Sequence, residues 1–196
     1  MEADPLPVAL MNTIWADRDG VHDALDAGAT DWLRAAAAVL LVDVPPDGAR
    51  LDTDLHEGVA RLRQLRDALR RLAAELTDDP RPDAASAVAD RDTALTVLNE
   101  TCALATAWPA VVWPDDAPPH AVARTAHPPT TLALARLAAE AAALLTRPSA
   151  LGACEAPGCV RYFVRDPARR GWCSAACGNR ARVARHYRRH HGSAAG

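Results

Sequence analysis

Four of the five cysteines lie between residues 151 and 196, and they come as two close pairs. Cys154 and Cys159 are separated by four residues, Cys159 and Cys173 by thirteen, and Cys173 and Cys177 by three. Two thiol pairs with a spacer of this length suit a four-thiolate zinc site. Pro157 and Gly158 allow the first pair to turn as a tight knuckle. Cys173 and Cys177 are four apart, a spacing that puts both thiolates on one face of a helix, whose N-terminus favours thiolate. A knuckle followed by a helix-borne pair predicts a small treble-clef-like finger holding one structural Zn2+. Two disulfides or buried free thiols are the alternative. The compartment argues against them: the N-terminus MEADPLPVAL has no signal-peptide character. The longest apolar run, Ala35 to Val42, is far short of the roughly 20 residues of a membrane span. A cytoplasmic protein with reduced thiols is expected.

The charge breaks in the same place. Net charge is −3, which by itself does not point to a polyanion partner. Residues 1–150 hold 13 Arg and 23 Asp or Glu, giving −10, while residues 151–196 hold 9 Arg and 2 acids, giving +7. The chain contains no lysine, so arginine richness alone says little; its uneven density says more. We expect a helical domain over residues 1–147 and a zinc finger over residues 151–192, joined near Arg147-Pro148-Ser149-Ala150.

In the first part, Leu55, Val59, Leu62, Leu65, Leu69, Leu72 and Leu76 recur at three- and four-residue spacings. They predict a helix from Asp54, its cap, to about Thr77. Arg61, Arg63, Arg66, Arg70 and Arg71 lie largely off that stripe and read as a solvated face. Further helices are expected over 83–105 and 129–146, with shorter ones near 21–25 and 30–41. A small hairpin is expected between Trp108 and Ala126, and loops at 43–52 and 78–83. The fold class is thus mainly α with a small β-hairpin, plus the finger. Cys102 reads as a core residue.

The finger has few apolar residues: Val160, Tyr162, Phe163, Val164, Trp172, Val183 and Tyr187 are its expected core, so metal binding must supply part of its folding free energy. From Cys173 onward no proline interrupts a helix up to Gly192. Arg182, Arg185 and Arg189 share one face, Arg180 and Arg188 lie on the same helix, and Arg169 and Arg170 add charge from the preceding loop. This footprint suits a nucleic-acid backbone. Arg182, Arg185, Arg188 and Arg189 are expected to grip phosphates, and Asn179 and Arg180 to read bases or lock the finger. The alternatives are a zinc-stabilised protein-interaction module, which could dock on an acidic partner including the protein's own −10 half, and a thiol redox sensor.

No enzyme is expected. There is no phosphate-binding glycine loop, HExxH or Gly-x-Ser-x-Gly. Asp17, Asp19, His22 and Asp23 form a polar cluster that reads as a helix start.

The segment C-x4-C-x3-F followed by R-R-x-W-C-S-x-x-C-G-N-R-x-R resembles the CGNR zinc finger, with the naming motif intact at Cys177-Gly178-Asn179-Arg180. The N-terminal region resembles that finger's usual partner, the ABATE domain, through Asn12-Thr13 and the arginine-leucine helix around Arg66-Asp67-Ala68-Leu69-Arg70. The resemblance implies a stress-induced transcriptional regulator of bacterial type. Its finger would bind DNA, and its N-terminal domain would sense or oligomerise, as a homodimer or with an unidentified small-molecule ligand.

Overall fold

The computed structural model describes residues 4–45, 55–84, 86–147, 151–165 and 171–191. Its centre is the leucine stripe, which forms one continuous helix, α3, over Leu55–Thr77. Around it stand α1 (Leu6–Met11), α2 (Leu25–Leu40), α4 (Arg91–Cys102) and α5 (Pro129–Leu145), and α3 packs against all four. Helix α5 starts on Pro129, whose missing N–H is no loss at that position. Its Ala/Leu sequence buries residues on most sides, as a helix without a polar face must.

Three two-stranded antiparallel hairpins decorate the bundle: β1 (Ile14–Asp17) with β2 (Gly20–Asp23), β3 (Trp108–Val112) with β4 (His120–Arg124), and β5 (Leu151–Ala153) with β6 (Tyr162–Val164). Helix α6 (Ala175–His191) is the last described element. The hairpin expected between Trp108 and Ala126 is present, with Trp108 opposite Arg124.

Several expectations need correction. Residues 21–24 are not helical: Val21, His22 and Asp23 belong to β2, and α2 begins at Leu25 and runs through the helix expected over 30–41 to Leu40. The polar cluster is therefore the lining of a hairpin rather than a helix start. Asp17 Oδ1 lies 2.9 Å from His22 Nε2, His22 stacks on Trp15 at 4.1 Å, and Asp23 Oδ1 accepts from the Leu25 amide at 2.8 Å. The helix expected over 83–105 starts later. A single 3-10 turn occupies Pro82–Ala84, and Asp90 caps α4 by accepting from the Thr93 amide at 2.8 Å. Asp54, residues 148–150 and most of the 43–52 loop lie outside the described residues.

The largest correction concerns the arginines of α3. Arg66 and Arg70 do not face solvent: they are 4% and 1% exposed. Arg66 pairs with Asp23 at 2.6 Å and with Asp67 at 2.9 Å. Arg70 has no carboxylate partner among the described residues. It donates instead to the carbonyls of Met11 (3.0 Å), Val160 (3.3 Å) and Ala84 (3.1 Å).

Candidate metal centre and nucleic-acid interface

The sulfurs of Cys154, Cys159, Cys173 and Cys177 all lie within 4.8 Å of one another. Cys159 and Cys173 are 3.8 Å apart, and Cys173 and Cys177 are 3.6 Å apart. Sulfurs bound tetrahedrally at about 2.3 Å from one zinc ion stand about 3.8 Å from each other, whereas a disulfide would bring two of them to about 2 Å. All five cysteines are free. The Cys173 amide also donates to Cys154 Sγ at 3.4 Å. Hydrogen bonds from Cys159 and Cys173 hold the Cys154 thiol far below its ordinary pKa, while the same crowding pushes Cys159 and Cys173 up. Thiols this close cannot all ionise unless a cation joins them. The donor set, spacing and electrostatics fit one structural Zn2+.

The knuckle turns at Gly158, whose φ of +69° is costly for any residue with a Cβ. Ser174 caps α6, its Oγ accepting from the Cys177 amide at 3.2 Å. Cys173 therefore precedes the helix and only Cys177 sits in its first turn; the two were expected to share a helical face. Arg180 Nη2 donates to Cys177 Sγ at 3.2 Å, which commits Arg180 to the metal site.

The finger is not a free tail. Hairpin β5–β6 uses the alternation of a strand to serve two cores. Leu151, Ala153, Tyr162 and Val164 turn one face to the helical body, while Phe163 turns the other way and joins Cys154, Ala156, Cys159, Cys177 and Ala181. Gly152 lies opposite Phe163, and a Cβ there would meet the ring at 2.7 Å. Tyr162 and Val164, expected in the finger's own core, thus belong to the body. Val183 and Tyr187, expected to pack back on the finger, are instead 69% and 63% exposed.

Polar contacts fasten this seam. Asn12 acts as a surrogate strand: its Nδ2 donates to the Tyr162 carbonyl and its Oδ1 accepts from the Tyr162 amide, both at 2.9 Å. Arg81 Nη1 donates to the carbonyls of Cys159 (2.7 Å) and Cys154 (3.0 Å), the backbone of two zinc ligands. Asp79 orients Arg81 through two 2.6 Å bonds and accepts from the Tyr162 hydroxyl at 2.8 Å. Burial pushes Asp79 up, but these donors bring it below its ordinary value overall, and burial beside that carboxylate pushes Tyr162 up to about 12. The guanidiniums of Arg70 and Arg81 both lie over the Tyr162 ring, at 5.4 and 5.3 Å. Arg81 and Asp79 carried no pattern that sequence reasoning could use, since their partners in the finger lie 73 to 83 residues away. Asn12 was singled out, but its partner was not.

Asn12→Ala is expected to cost about 1–3 kcal/mol, because the Tyr162 amide and carbonyl lose both partners at a half-buried edge. Asn12→Asp, which keeps the acceptor for the amide but sets a second oxygen against the Tyr162 carbonyl, should cost at least as much. Urea denaturation of the zinc-loaded protein checks the order of the two.

The basic helix is open. From Arg182 to Arg189 every residue but Ala184 is exposed. Arg182, Arg185, Arg188 and Arg189 all point outward, and no acidic residue occurs from 171 to 191. Asn179 Oδ1 accepts from Arg182 Nη2 at 2.6 Å. Arg169 and Arg170 lie outside the described residues. None of the helices among the described residues is long and apolar enough to cross a membrane.

Residues 4–148 match the ABATE family, whose description reads "Putative stress-induced transcription regulator", and residues 150–190 match the CGNR zinc finger. No curated protein matches the chain.

Proposed function

The chain belongs to the ABATE family, and on that premise we propose that it regulates transcription by binding DNA through α6. The observation that carries this is the exposed, acid-free run of arginines on a helix whose other side is anchored to the metal site. The four thiolates would hold zinc as a structural ion that ties knuckle to helix; with every coordination position filled, we assign it no reaction. The protein supplies the rest. Arg180 braces Cys177, the β5–β6 hairpin fixes the finger on the helical body, and Arg185 and Arg189 reach phosphates from one side of α6 while Arg188 reaches from the knuckle side. Phosphate contacts of this kind position a protein on DNA and supply most of its sequence-independent affinity.

The competing reading, a finger that docks on an acidic protein, loses one form of support. Among the described residues, no acidic side chain pairs with an arginine of α6. One short helix offers a small contact surface, so we further propose that the helical body joins two copies, which sedimentation of the protein with and without DNA would show as a dimer. A sensed small molecule is proposed for the same body, without a chemical class.

Affinity for DNA fragments should fall steeply with salt. Arg185→Ala with Arg189→Ala should lower the slope of log affinity against log salt by about two, since each phosphate contact contributes about 0.9. Absence of binding by the zinc-loaded protein at low salt would overturn the DNA reading in favour of a protein partner.

A further inference from the structure

Resting on the DNA reading, we infer that α6 distinguishes bases as well as gripping phosphates. It takes a guanine through a joined Asn179–Arg182 unit and an adjacent thymine methyl through Val183. Helix geometry selects these residues. Cys177 and Ala181 bury one side of α6 against the knuckle, each 7% exposed. At about 100° per residue, Asn179, Arg182, Val183 and His186 lie about 120–220° round from that packed side. They form an i, i+3, i+4, i+7 stripe in the N-terminal and middle turns of the helix, and all four are exposed. When the helix enters a major groove with its packed side turned away, this stripe meets the base edges. Arg185 and Arg189 then stand on the flank, beside one phosphate strand.

Chemistry then selects the base. A guanidinium carries only donors, so the Asn179 amide turns its oxygen to Arg182, at 2.6 Å. That contact consumes the acceptor with which an asparagine would read adenine, a reading that needs both its oxygen and its NH2 group. What faces outward is a surface of donors alone: the Asn179 NH2 group and the remaining Arg182 N–H groups. Guanine is the base whose major-groove edge presents two acceptors, O6 and N7. The amide also holds the long Arg182 side chain in one place, which lowers the ordering cost of contact. Val183, 69% exposed beside Arg182, offers a β-branched apolar surface with no polar requirement. The thymine methyl is the apolar feature of the same groove. Arg180 is excluded from this role by its bond to Cys177 Sγ.

The test uses the whole 196-residue chain, loaded with zinc. Sites are first selected from random DNA at low salt and should share a dG beside a dT. Single-atom changes in the selected site are then assayed. Replacing dG with 7-deaza-dG, which removes N7, should weaken the wild-type protein about tenfold. The change should have little effect on Arg182→Ala. Asn179→Asp keeps the oxygen facing Arg182 but loses the outward donors, and should respond only weakly. Replacing dT with dU, which removes the methyl, should weaken the wild type about fourfold and leave Val183→Ala unaffected. These side chains are exposed, so zinc content and melting temperature should stay at wild-type values. If the protein binds DNA with steep salt dependence but shows no preferred site, or if the variants respond to the atom changes as the wild type does, the base-reading inference fails and the DNA reading stands. If no DNA is bound at all, the DNA reading itself fails.

Discussion

Arg70→Met is expected to destabilise the protein by about 3–5 kcal/mol, the largest effect of any single change away from the metal ligands. Methionine nearly fills the space, so a cavity is not the cause. The cause is three buried carbonyls, on Met11, Ala84 and Val160, that lose their only described donor. Each such group left unsatisfied costs about 1–3 kcal/mol, offset in part by no longer burying a charge. That burial is a real cost, since it pulls the Arg70 guanidinium below its ordinary pKa, with the Arg81 and Arg66 charges adding to it against the opposing effect of Tyr162. Arg70→Lys should fall between the two, because one ammonium cannot span three carbonyls on separate segments. Urea unfolding followed by tryptophan fluorescence measures the loss. A change below about 1 kcal/mol would show that Arg70 is not a keystone of the seam.

Removal of zinc by a chelator, or Cys173→Ser, is expected to loosen the helical body as well as the finger. Structural zinc contributes its binding free energy to folding. Here the ligand-bearing knuckle also presents the Cys154 and Cys159 carbonyls to Arg81 and the Val160 carbonyl to Arg70. When the knuckle unravels, two large cations lose acceptors, and Tyr162 loses the geometry that seats it beside Asp79. The melting temperature of the whole chain should drop by about 10 °C, the shift that about 3–5 kcal/mol produces in a protein of this size. Hydrogen exchange should accelerate in residues 8–13 and 70–84 as well as in residues 151–165. If complete zinc loss leaves exchange in 8–13 and 70–84 unchanged, the coupling does not exist.

Local patterns made much of this readable in advance. The metal centre is written in cysteine spacing, α3 in apolar periodicity, α5 in an Ala/Leu run after a proline break, and the β3–β4 hairpin in two short apolar runs around a Pro- and Asp-rich turn. What was not readable depends on distant partners. Periodicity counts apolar side chains, so it treats every arginine off the stripe as solvent-facing. Arg70 is buried because backbone carbonyls from three remote segments converge on it, and Arg66 because Asp23 waits at the end of β2. The β1–β2 hairpin was hidden because its strands are four residues long, too short to show alternation against a helix-like run of acids. The finger's core was misjudged for a related reason. Composition marks residues 151–196 as separate, yet one face of a single hairpin is claimed by the helical body. Val183 and Tyr187 have the spacing of a packed pair and line an open apolar groove with Pro157 of the knuckle, but the knuckle covers too little of them to bury them.

The split allegiance of the β5–β6 hairpin limits how this protein can be recombined. A segment that begins near residue 151 and carries all four cysteines looks transplantable, and a zinc ion would close its thiolate site in any host. Its strand face of Leu151, Ala153, Tyr162 and Val164 would then be stripped of its matching surface. A host that lacked counterparts of Asn12, Arg70 and Arg81 would leave that face wet and its backbone unpaired. The heritable unit of function is therefore the pair of regions together. A productive chimera must exchange both sides of the seam at once, or carry the three receiving side chains across with the finger.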